Sequence, residues 1–299
     1  MSKLLALILI AVLTFTGTAQ DLKSNKDLIA KDAKVTKVGG GYTFTEGPSV
    51  APDGRVFFTD QPNDKIDVWS ERGNTITTFL QPSERSNGTY FNKNGELVAC
   101  ADLHNRLVVI SMDKKMRTLA ENYNGQPLNA PNDLWIAPNE GIYFTDPYYH
   151  RNYWEQGRNE MQDKRGVYYL SPEGKVTRVI DDYKQPNGLV GTPDGKILYV
   201  SDINDGKIWK YTINPDGTLT NKTFFAPEGS DGMSIDNKGN VYLTNKQVSV
   251  FDKTGKKIAS IEVPETPSNV CFGGKNKNIL FITARTSVYT LKMKVKGVN

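Results

Sequence analysis

The sequence predicts an all-β protein: a six-bladed β-propeller with four antiparallel strands per blade, closed by an N-terminal strand that completes the last blade. Three observations support this prediction. Short β-rich runs separated by Gly-containing turns recur along the chain, and long stretches of helical periodicity are absent. Six segments share one frame of a polar residue, a short run, a turn and a strongly apolar strand. The last repeat ends one strand short.

Each copy of the frame begins with one polar residue and includes one tight turn. The six copies begin at Glu46, Asn87, Asn132, Asn187, Asp231 and Asn269. Five of the turns close with a glycine, for which we expect a positive φ: Gly54, Gly95, Gly141, Gly195 and Gly239. The sixth copy reaches residues 287–293, so we expect residues 34–38 to supply its missing strand. Closure would leave no exposed sheet edge, whereas two stacked β-sandwiches are the alternative.

The N-terminus has the features of a secretory signal. Lys3 gives a short positive region, residues 4–15 form an uncharged apolar run, and residues 17–19 are small. The apolar run is shorter than the roughly 20 residues that span a membrane. We therefore expect a signal peptide at residues 1–19, a single propeller domain at residues 20–299, and an exported protein that is periplasmic or secreted.

The composition narrows the possible partners. The 299 residues are 38% hydrophobic with a net charge of +4, and the basic residues are scattered. A nucleic-acid partner would need a concentrated basic stripe, so we expect none, and no membrane partner either. The oligomeric state stays open. Cys100 and Cys271 lie in apolar runs and are expected to be small buried side chains, with pairing as the alternative.

The first positions of the six repeats are candidates for a metal site. Propeller symmetry places them on one ring around the axis, and all six carry a side-chain oxygen. A buried ring of this kind is costly unless a cation satisfies it. Glu46 and Asp231 would balance a divalent charge, and asparagine oxygens would complete the coordination. We favour Ca²⁺, with Mg²⁺, Mn²⁺ and Zn²⁺ as alternatives, the last disfavoured because the ring lacks His and Cys. Asn-Gly and Asp-Gly pairs also begin turns, which is the structural alternative.

Four motifs carry a resemblance that covers nearly the whole chain. They are Thr45-Glu46-Gly47-Pro48, Ala130-Pro131-Asn132-Asp133-Leu134, Gln185-Pro186-Asn187-Gly188-Leu189 and Ser230-Asp231-Gly232-Met233. In these residues the chain resembles the gluconolactonase and regucalcin (senescence marker protein) family of six-bladed, metal-dependent lactonases.

The resemblance implies specific roles for the matching residues. Glu46, Asn187 and Asp231 would be metal ligands, and Asn132 a further ligand or a substrate contact. Asp231 would also act in proton transfer or as a nucleophile. Animal regucalcins have an arginine two residues before the asparagine that matches Asn132, where this chain has Ala130. The sugar-acid preference therefore stays open within the lactone class.

These inferences predict a divalent-metal-dependent hydrolase that opens a lactone of a sugar acid or a related lactone. The cation would polarise the carbonyl group, and Asp231 would assist the attack of water. Two alternatives remain: a phosphotriesterase-like hydrolase on the same ring, and a non-catalytic metal-containing propeller that binds sugars or proteins.

Further residues are predicted to contact the substrate. An aromatic- and charge-rich insertion at residues 146–164 is expected to cover the site, with a solvent-exposed excursion as the alternative. The predicted substrate contacts are Asn87, Asn132, Asn269, Tyr148 of this insertion, and His104. His104 follows the apolar strand of the second repeat, where a surface histidine is the alternative. Asp202 follows that of the fourth and is expected to brace a loop.

Overall fold

The computed structural model describes residues 25–154 and 158–298, and in this part of the chain six four-stranded antiparallel sheets form the blades of a propeller. Blade 1 comprises β2 (Thr45–Val50), β3 (Val56–Asp60), β4 (Lys65–Ser70) and β5 (Thr75–Leu80), and blade 2 comprises β6 (Ser86–Phe91), β7 (Leu97–Ala101), β8 (Arg106–Ile110) and β9 (Met116–Ala120). A hairpin of β10 (Asn122–Tyr123) and β11 (Gln126–Pro127) follows.

The remaining blades follow in chain order. Blade 3 comprises β12 (Leu134–Ile136), β13 (Ile142–Asp146), β14 (Gly166–Leu170) and β15 (Val176–Ile180), and blade 4 comprises β16 (Pro186–Gly191), β17 (Ile197–Asp202), β18 (Lys207–Ile213) and β19 (Leu219–Ala226). Blade 5 comprises β20 (Met233–Ile235), β21 (Val241–Thr244), β22 (Val248–Phe251) and β23 (Lys257–Ile261). Blade 6 contains β24 (Asn269–Gly273), β25 (Ile279–Ala284) and β26 (Ser287–Lys292).

The fourth strand of blade 6 comes from the other end of the chain. β1 (Thr36–Gly40) pairs with β26, two residues further along than the predicted 34–38. A bridge between Ile29 and Met293 and the burial of Leu28 extend this closure. The all-β, six-bladed fold predicted from the repeats is confirmed. The predicted signal peptide at residues 1–19 lies outside the described residues.

The six inner strands, β2, β6, β12, β16, β20 and β24, form a closed ring in which β24 contacts β2. Among the described residues, the helical segments are a single turn at Asn25–Leu28 and 3₁₀ turns at Gln61–Asn63 and Asp102–His104. In the described part of the chain, no helix is long and apolar enough to cross a bilayer.

Apolar side chains between neighbouring blades form the core. At the closing interface, Phe58 and Trp69 of blade 1 each lie 5.4 Å, between ring centroids, from Phe281 of blade 6. Cys100 and Cys271 are both buried and unpaired, which confirms that they serve as small buried side chains.

The prediction of a positive φ at the turn glycines is correct at four positions and wrong at the fifth. Gly54, Gly95, Gly195 and Gly239 have φ between 69° and 89°. In the third repeat, Glu140 takes the left-handed conformation instead, with φ of 66°. Gly141 is needed for a different reason: a Cβ atom there would lie 2.3 Å from the ring of Tyr169.

We expect the closing strand to be a large contributor to stability. A variant that begins at residue 41 lacks β1 and the buried Leu28, and the edge of β26 is exposed in it. A variant that begins at residue 25 keeps β1 and Leu28, and the edge of β26 stays covered. Burial of one leucine is worth about 1.5–3 kcal/mol, and with the lost strand pairing we expect the melting temperature to fall by about 5 °C or more. Circular dichroism melts of both variants measure the difference, and equal melting temperatures would contradict it.

Candidate active site

The ring of oxygen-bearing residues lies where the inner strands begin. In β6 and β16, pairing with the second strand skips Asn87 and Asn187, and in β2 the pairing is interrupted just after Glu46, which itself pairs with Thr59. Such bulges re-aim a side chain out of the regular pleat. Asn132 and Asp231 precede β12 and β20. Asn269 differs, because it stays in regular pairing with Thr283.

Close approach of neighbouring inner strands explains the glycines that follow four of these residues. A Cβ atom at Gly47 would lie 1.9 Å from the carbonyl oxygen of Asn87, and Gly47 has φ of 49°. A Cβ atom at Gly188 would lie 2.4 Å from the carbonyl oxygen of Asp231. The Asn-Gly and Asp-Gly pairs therefore serve inter-blade packing, and the alternative that they begin turns does not apply here.

The ring opens into a cavity of about 210 Å³ on the face where the inner strands begin. Its lining residues are Phe44, Glu46, Gln61, Asn87, Asn132, Tyr149, Arg151, Asn187, Ile203 and Asp231. Five of the six predicted ring residues are thus brought together, and the two carboxylates share one cavity with three asparagine amides.

Burial is the largest influence on the pKa of each of the two carboxylates. Glu46 is 4% exposed, and burial together with the charge of Asp231 raises its pKa well above the ordinary value. Its Oε2 accepts hydrogen bonds from the backbone N–H of Gly47 and from Asn269 Nδ2, at 2.7 and 3.0 Å. Its Oε1 is buried with no hydrogen-bond partner among the described residues. Burial also raises the pKa of Asp231, to about 6.

Two asparagines of the ring are used differently. The Nδ2 of Asn187 donates to the hydroxyl of Tyr149 at 2.9 Å, which leaves its Oδ1 available as an acceptor. Asn269 donates to Glu46 and accepts the backbone N–H of Val270 at 2.8 Å. Because both of its amide atoms are used inside the protein, Asn269 supports Glu46 and does not line the cavity.

The donor set fits a hard dication. Within residues 25–154 and 158–298, no three His, Cys, Asp or Glu side chains cluster closely enough to hold a metal ion by themselves. Glu46 and Asp231 supply two negative charges, and the free Oε1 of Glu46 lacks the partner that a buried carboxylate oxygen needs. Amide oxygens such as that of Asn187 would complete an all-oxygen shell of the kind that Ca²⁺ or Mg²⁺ accepts.

Aspartates at the ends of the second strands brace the chain leading to the ring. Asp60, Asp146 and Asp202 each accept two backbone N–H groups two to three residues before a ring position, at 2.8–3.2 Å. The prediction that Asp202 braces a loop is therefore confirmed. In blade 2 the equivalent position is Ala101, whose side chain cannot accept a hydrogen bond. The backbone N–H of Arg85, two residues before the ring position Asn87, donates to Asp64 of blade 1 at 2.6 Å.

In blade 2 the aspartate, Asp102, comes one residue after the end of the second strand and makes different contacts. Asp102 is buried and accepts hydrogen bonds from Gln61 Nε2, Arg151 Nε and Trp154 Nε1 at 2.9, 3.0 and 2.8 Å. Two of these donors belong to the insertion, so Asp102 fastens the insertion to the neighbouring blade. The insertion places Tyr149 and Arg151 against the cavity, as expected for a segment that covers the site.

Besides Asn269, two other predicted substrate contacts do not line the cavity. His104 is exposed on its 3₁₀ turn, because the preceding Asp102 is the residue that turns inward. Tyr148 points the other way from its neighbour: its hydroxyl donates to the carbonyl of Arg158 at 2.8 Å, and its ring packs near Trp154. Tyr149 lines the cavity in its place.

Sequence reasoning missed five lining residues: Phe44, Gln61, Tyr149, Arg151 and Ile203. All lie in loops or 3₁₀ turns on the ring side, outside the repeated frame. One signal was available: blades 1, 3 and 4 carry an aspartate at the end of the second strand, at Asp60, Asp146 and Asp202, whereas the aspartate of blade 2, Asp102, comes one residue after its second strand.

Comparisons with known proteins show the family to which the chain belongs. The family described as SMP-30/Gluconolactonase/LRE-like region matches residues 44–286. A gluconolactonase from Zymomonas mobilis is 28% identical, and the match covers 96% of this chain and 93% of the relative. The solved structure of a gluconolactonase from Xanthomonas campestris has a TM-score of 0.82 at 27% identity, covering 89% of this chain and 91% of that one.

A more distant solved structure shows the same fold. A regucalcin from Agrobacterium tumefaciens, described as a calcium-binding protein, has a TM-score of 0.74 at 20% identity, covering 90% of this chain and 95% of that one. At this identity the likeness shows the fold alone.

We expect Glu46→Gln to stabilise the protein in the presence of a chelator. Each unit by which folding raises a carboxyl pKa costs about 1.4 kcal/mol of stability at pH above the raised value. Removing this cost should raise the melting temperature at pH 8 by about 3 °C or more. Because the cost exists only while Glu46 is ionised in the unfolded chain, the gain should vanish near pH 4.

Glu265→Gln provides the matched control. Hydrogen bonds from Thr286 and Tyr289 outweigh burial and lower the pKa of Glu265 to about 2. This substitution should therefore lower the melting temperature at pH 8. A Glu46→Gln protein less stable than the parent in chelator, measured by differential scanning calorimetry at both pH values, would contradict the electrostatic argument.

Proposed function

The chain belongs to the SMP-30/gluconolactonase family, and we propose that it is a divalent-metal-dependent hydrolase that opens a lactone ring. One observation carries the proposal: Glu46 and Asp231 share one cavity with three asparagine amides, and an oxygen of Glu46 lacks a partner among the described residues. Relatives named gluconolactonase, one of which matches 96% of this chain, support lactones as the substrate class.

Glu46, Asn187 and Asp231 are the proposed ligands of one divalent cation, with Asn132 as a further ligand or a substrate contact. We favour Ca²⁺ for its tolerance of an irregular oxygen shell, and the calcium-binding regucalcin of the same fold agrees with this choice. When bound, the cation would supply Lewis-acid polarisation of the lactone carbonyl.

The chain's own groups orient the reactants. Asp231 is proposed to accept a proton from the attacking water as the water oxygen bonds to the carbonyl carbon. The ring C–O bond then breaks, and the leaving oxygen takes up a proton. Burial raises the pKa of Asp231 to about 6, close to the operating range of a general base, although direct cation ligation would lower it.

The side walls of the cavity suit a hydroxylated ring. Asn87, Asn132 and Gln61 present amides that can both donate and accept hydrogen bonds, while Phe44 and Ile203 present apolar surface. A polyhydroxylated lactone would therefore find hydrogen-bond partners around its ring and an apolar wall that limits access of bulk water.

We further propose that the protein is exported and works in the periplasm or the medium. The support is the positively charged start, the short apolar run and the small residues within positions 1–19.

A panel of lactones, followed by titration of released acid at constant pH, tests the function. We expect turnover of sugar-acid lactones that a chelator abolishes and Ca²⁺ restores. Asp231→Asn should lower kcat roughly 10²- to 10⁴-fold with a small change in KM. Asp252→Asn is the matched control, because Asp252 lies in a turn of the same blade, where it accepts hydrogen bonds from the backbone N–H groups of Thr254 and Lys256 and from the Thr254 hydroxyl.

Two results would overturn the proposal. Tight cation binding without hydrolysis of any lactone would favour a non-catalytic binding propeller. Turnover of organophosphate triesters in the same assay, with lactones untouched, would favour a phosphotriesterase-like enzyme.

Cation affinity should fall as the pH is lowered. Because burial raises the pKa of Asp231 to about 6 and that of Glu46 above its ordinary value, protons compete with the cation below neutrality. We expect the Kd for Ca²⁺ to rise between pH 7 and pH 5, by up to about tenfold per pH unit for each protonating group. Titration calorimetry measures this slope. It should become shallower in Glu46→Gln, and a Kd independent of pH would contradict the ligand assignment.

A further inference from the structure

One positively charged side chain of the described residues lines the cavity described above. Arg151 is the only Lys or Arg side chain among the described residues that line it. Its guanidinium lies 5.3 Å from the ring centroid of Tyr149, which lines the same cavity. The side chain is 24% exposed, so it is neither buried in the core nor free in solvent.

Arg151 is held in place by a buried support. Asp102, whose side chain is 2% exposed, accepts a hydrogen bond from its Nε at 3.0 Å. The same carboxylate is fixed by Gln61 and Trp154, so the orientation of the arginine does not depend on a mobile partner. Asp102 is available for this task because the propeller's repeated brace position in blade 2 is Ala101.

The remaining donors of Arg151 are available for a ligand. Only its Nε bonds to Asp102, and the two terminal nitrogens make no hydrogen bond to any residue in 25–154 or 158–298. Paired N–H groups of a guanidinium match the geometry of a carboxylate or a phosphate and bind it with charge-assisted hydrogen bonds.

The charge distribution indicates where an anionic group would lie. Glu46 and Asp231 make the ring end of the cavity negative, and a bound dication would do no more than neutralise them. Arg285, just after β25 of blade 6, stacks over Phe44 at 5.3 Å from its ring centroid, and Arg158 stacks over Trp154 at 3.7 Å. Neither lines the cavity, so among the described residues Arg151 is the guanidinium group that a ligand in the cavity would meet. A negative substituent is therefore favoured near Arg151 and disfavoured at the ring.

We propose that Arg151 selects substrates that carry an anionic group, a carboxylate or a phosphate, at the end remote from the lactone carbonyl. This inference rests on the proposed function for the reaction, but it concerns recognition and can be measured without turnover. Asp102 is the positioning residue that holds the arginine toward the cavity.

Kinetics with three lactones test the proposal. Glucono-δ-lactone is the neutral probe, its 6-phosphate carries a phosphate, and a glucarolactone carries a carboxylate. We expect the wild-type protein to prefer one or both anionic probes, and their separate values distinguish phosphate from carboxylate. Arg151→Gln should raise KM for the preferred anionic probe roughly 10- to 100-fold and change KM for the neutral lactone less than about threefold.

Three further variants separate recognition from structure. Arg158→Gln is the matched control, because Arg158 lies in the same insertion but does not line the cavity, and it should leave the selectivity unchanged. Arg151→Lys should keep part of the preference that Arg151→Gln loses, since lysine has the positive charge but not the paired N–H groups of a guanidinium. Asp102→Asn should raise KM for the anionic probe with little effect on kcat for the neutral one.

Calorimetric binding of 6-phosphogluconate and of gluconate, which needs no turnover, separates this inference from the proposed function. Tighter binding of the phosphorylated acid that Arg151→Gln abolishes would support the inference even if no lactone were hydrolysed. Hydrolysis of the neutral lactone alone, without anion binding, would overturn the inference and leave the proposed function standing. An equal loss of kcat on all probes in Arg151→Gln would also overturn it.

Discussion

The close approach of six inner strands around one axis is the constraint on which the rest of the structure depends. At Gly47 and Gly188 there is no room for a Cβ atom against the next blade. The bulges just after Glu46 and at Asn87 and Asn187 lie at the same close approach of neighbouring blades and re-aim side chains there. The geometry that closes the propeller therefore also assembles the cavity.

Concentrating two carboxylates at this place has an energetic cost that the fold does not remove. Glu46 keeps one oxygen without a partner among the described residues, and Asn269 is fully used in supporting the other. A site of this kind trades stability of the metal-free protein for affinity toward a positive ligand. The brace aspartate of blade 1, Asp60, accepts the backbone N–H groups of Thr43 and Phe44 and so holds the chain just before Glu46.

What could be predicted from the sequence is what the six-fold repeat encodes. The repeat predicted the blades, the closing strand and the ring at Glu46, Asn187 and Asp231, because equivalent residues must occupy equivalent positions around an axis. It could not predict which of two adjacent tyrosines faces the cavity, since the insertion has no counterpart in the other blades. Nor could it predict that His104 lies outside the cavity, since the nearby Asp102 departs from the pattern. Gly141 was misjudged because a packing requirement resembles a turn requirement.

The pairing of the first strand with the last has a consequence for biogenesis. Glu46 is held by Asn269, 223 positions later, and Thr45 bonds to the carbonyl of Ser287, 242 positions later. Contacts so distant in sequence form late, after the entropy of closing nearly the entire polypeptide has been overcome. The cavity is therefore incomplete until Asn269 and Ser287 have been synthesised and have reached Glu46 and Thr45.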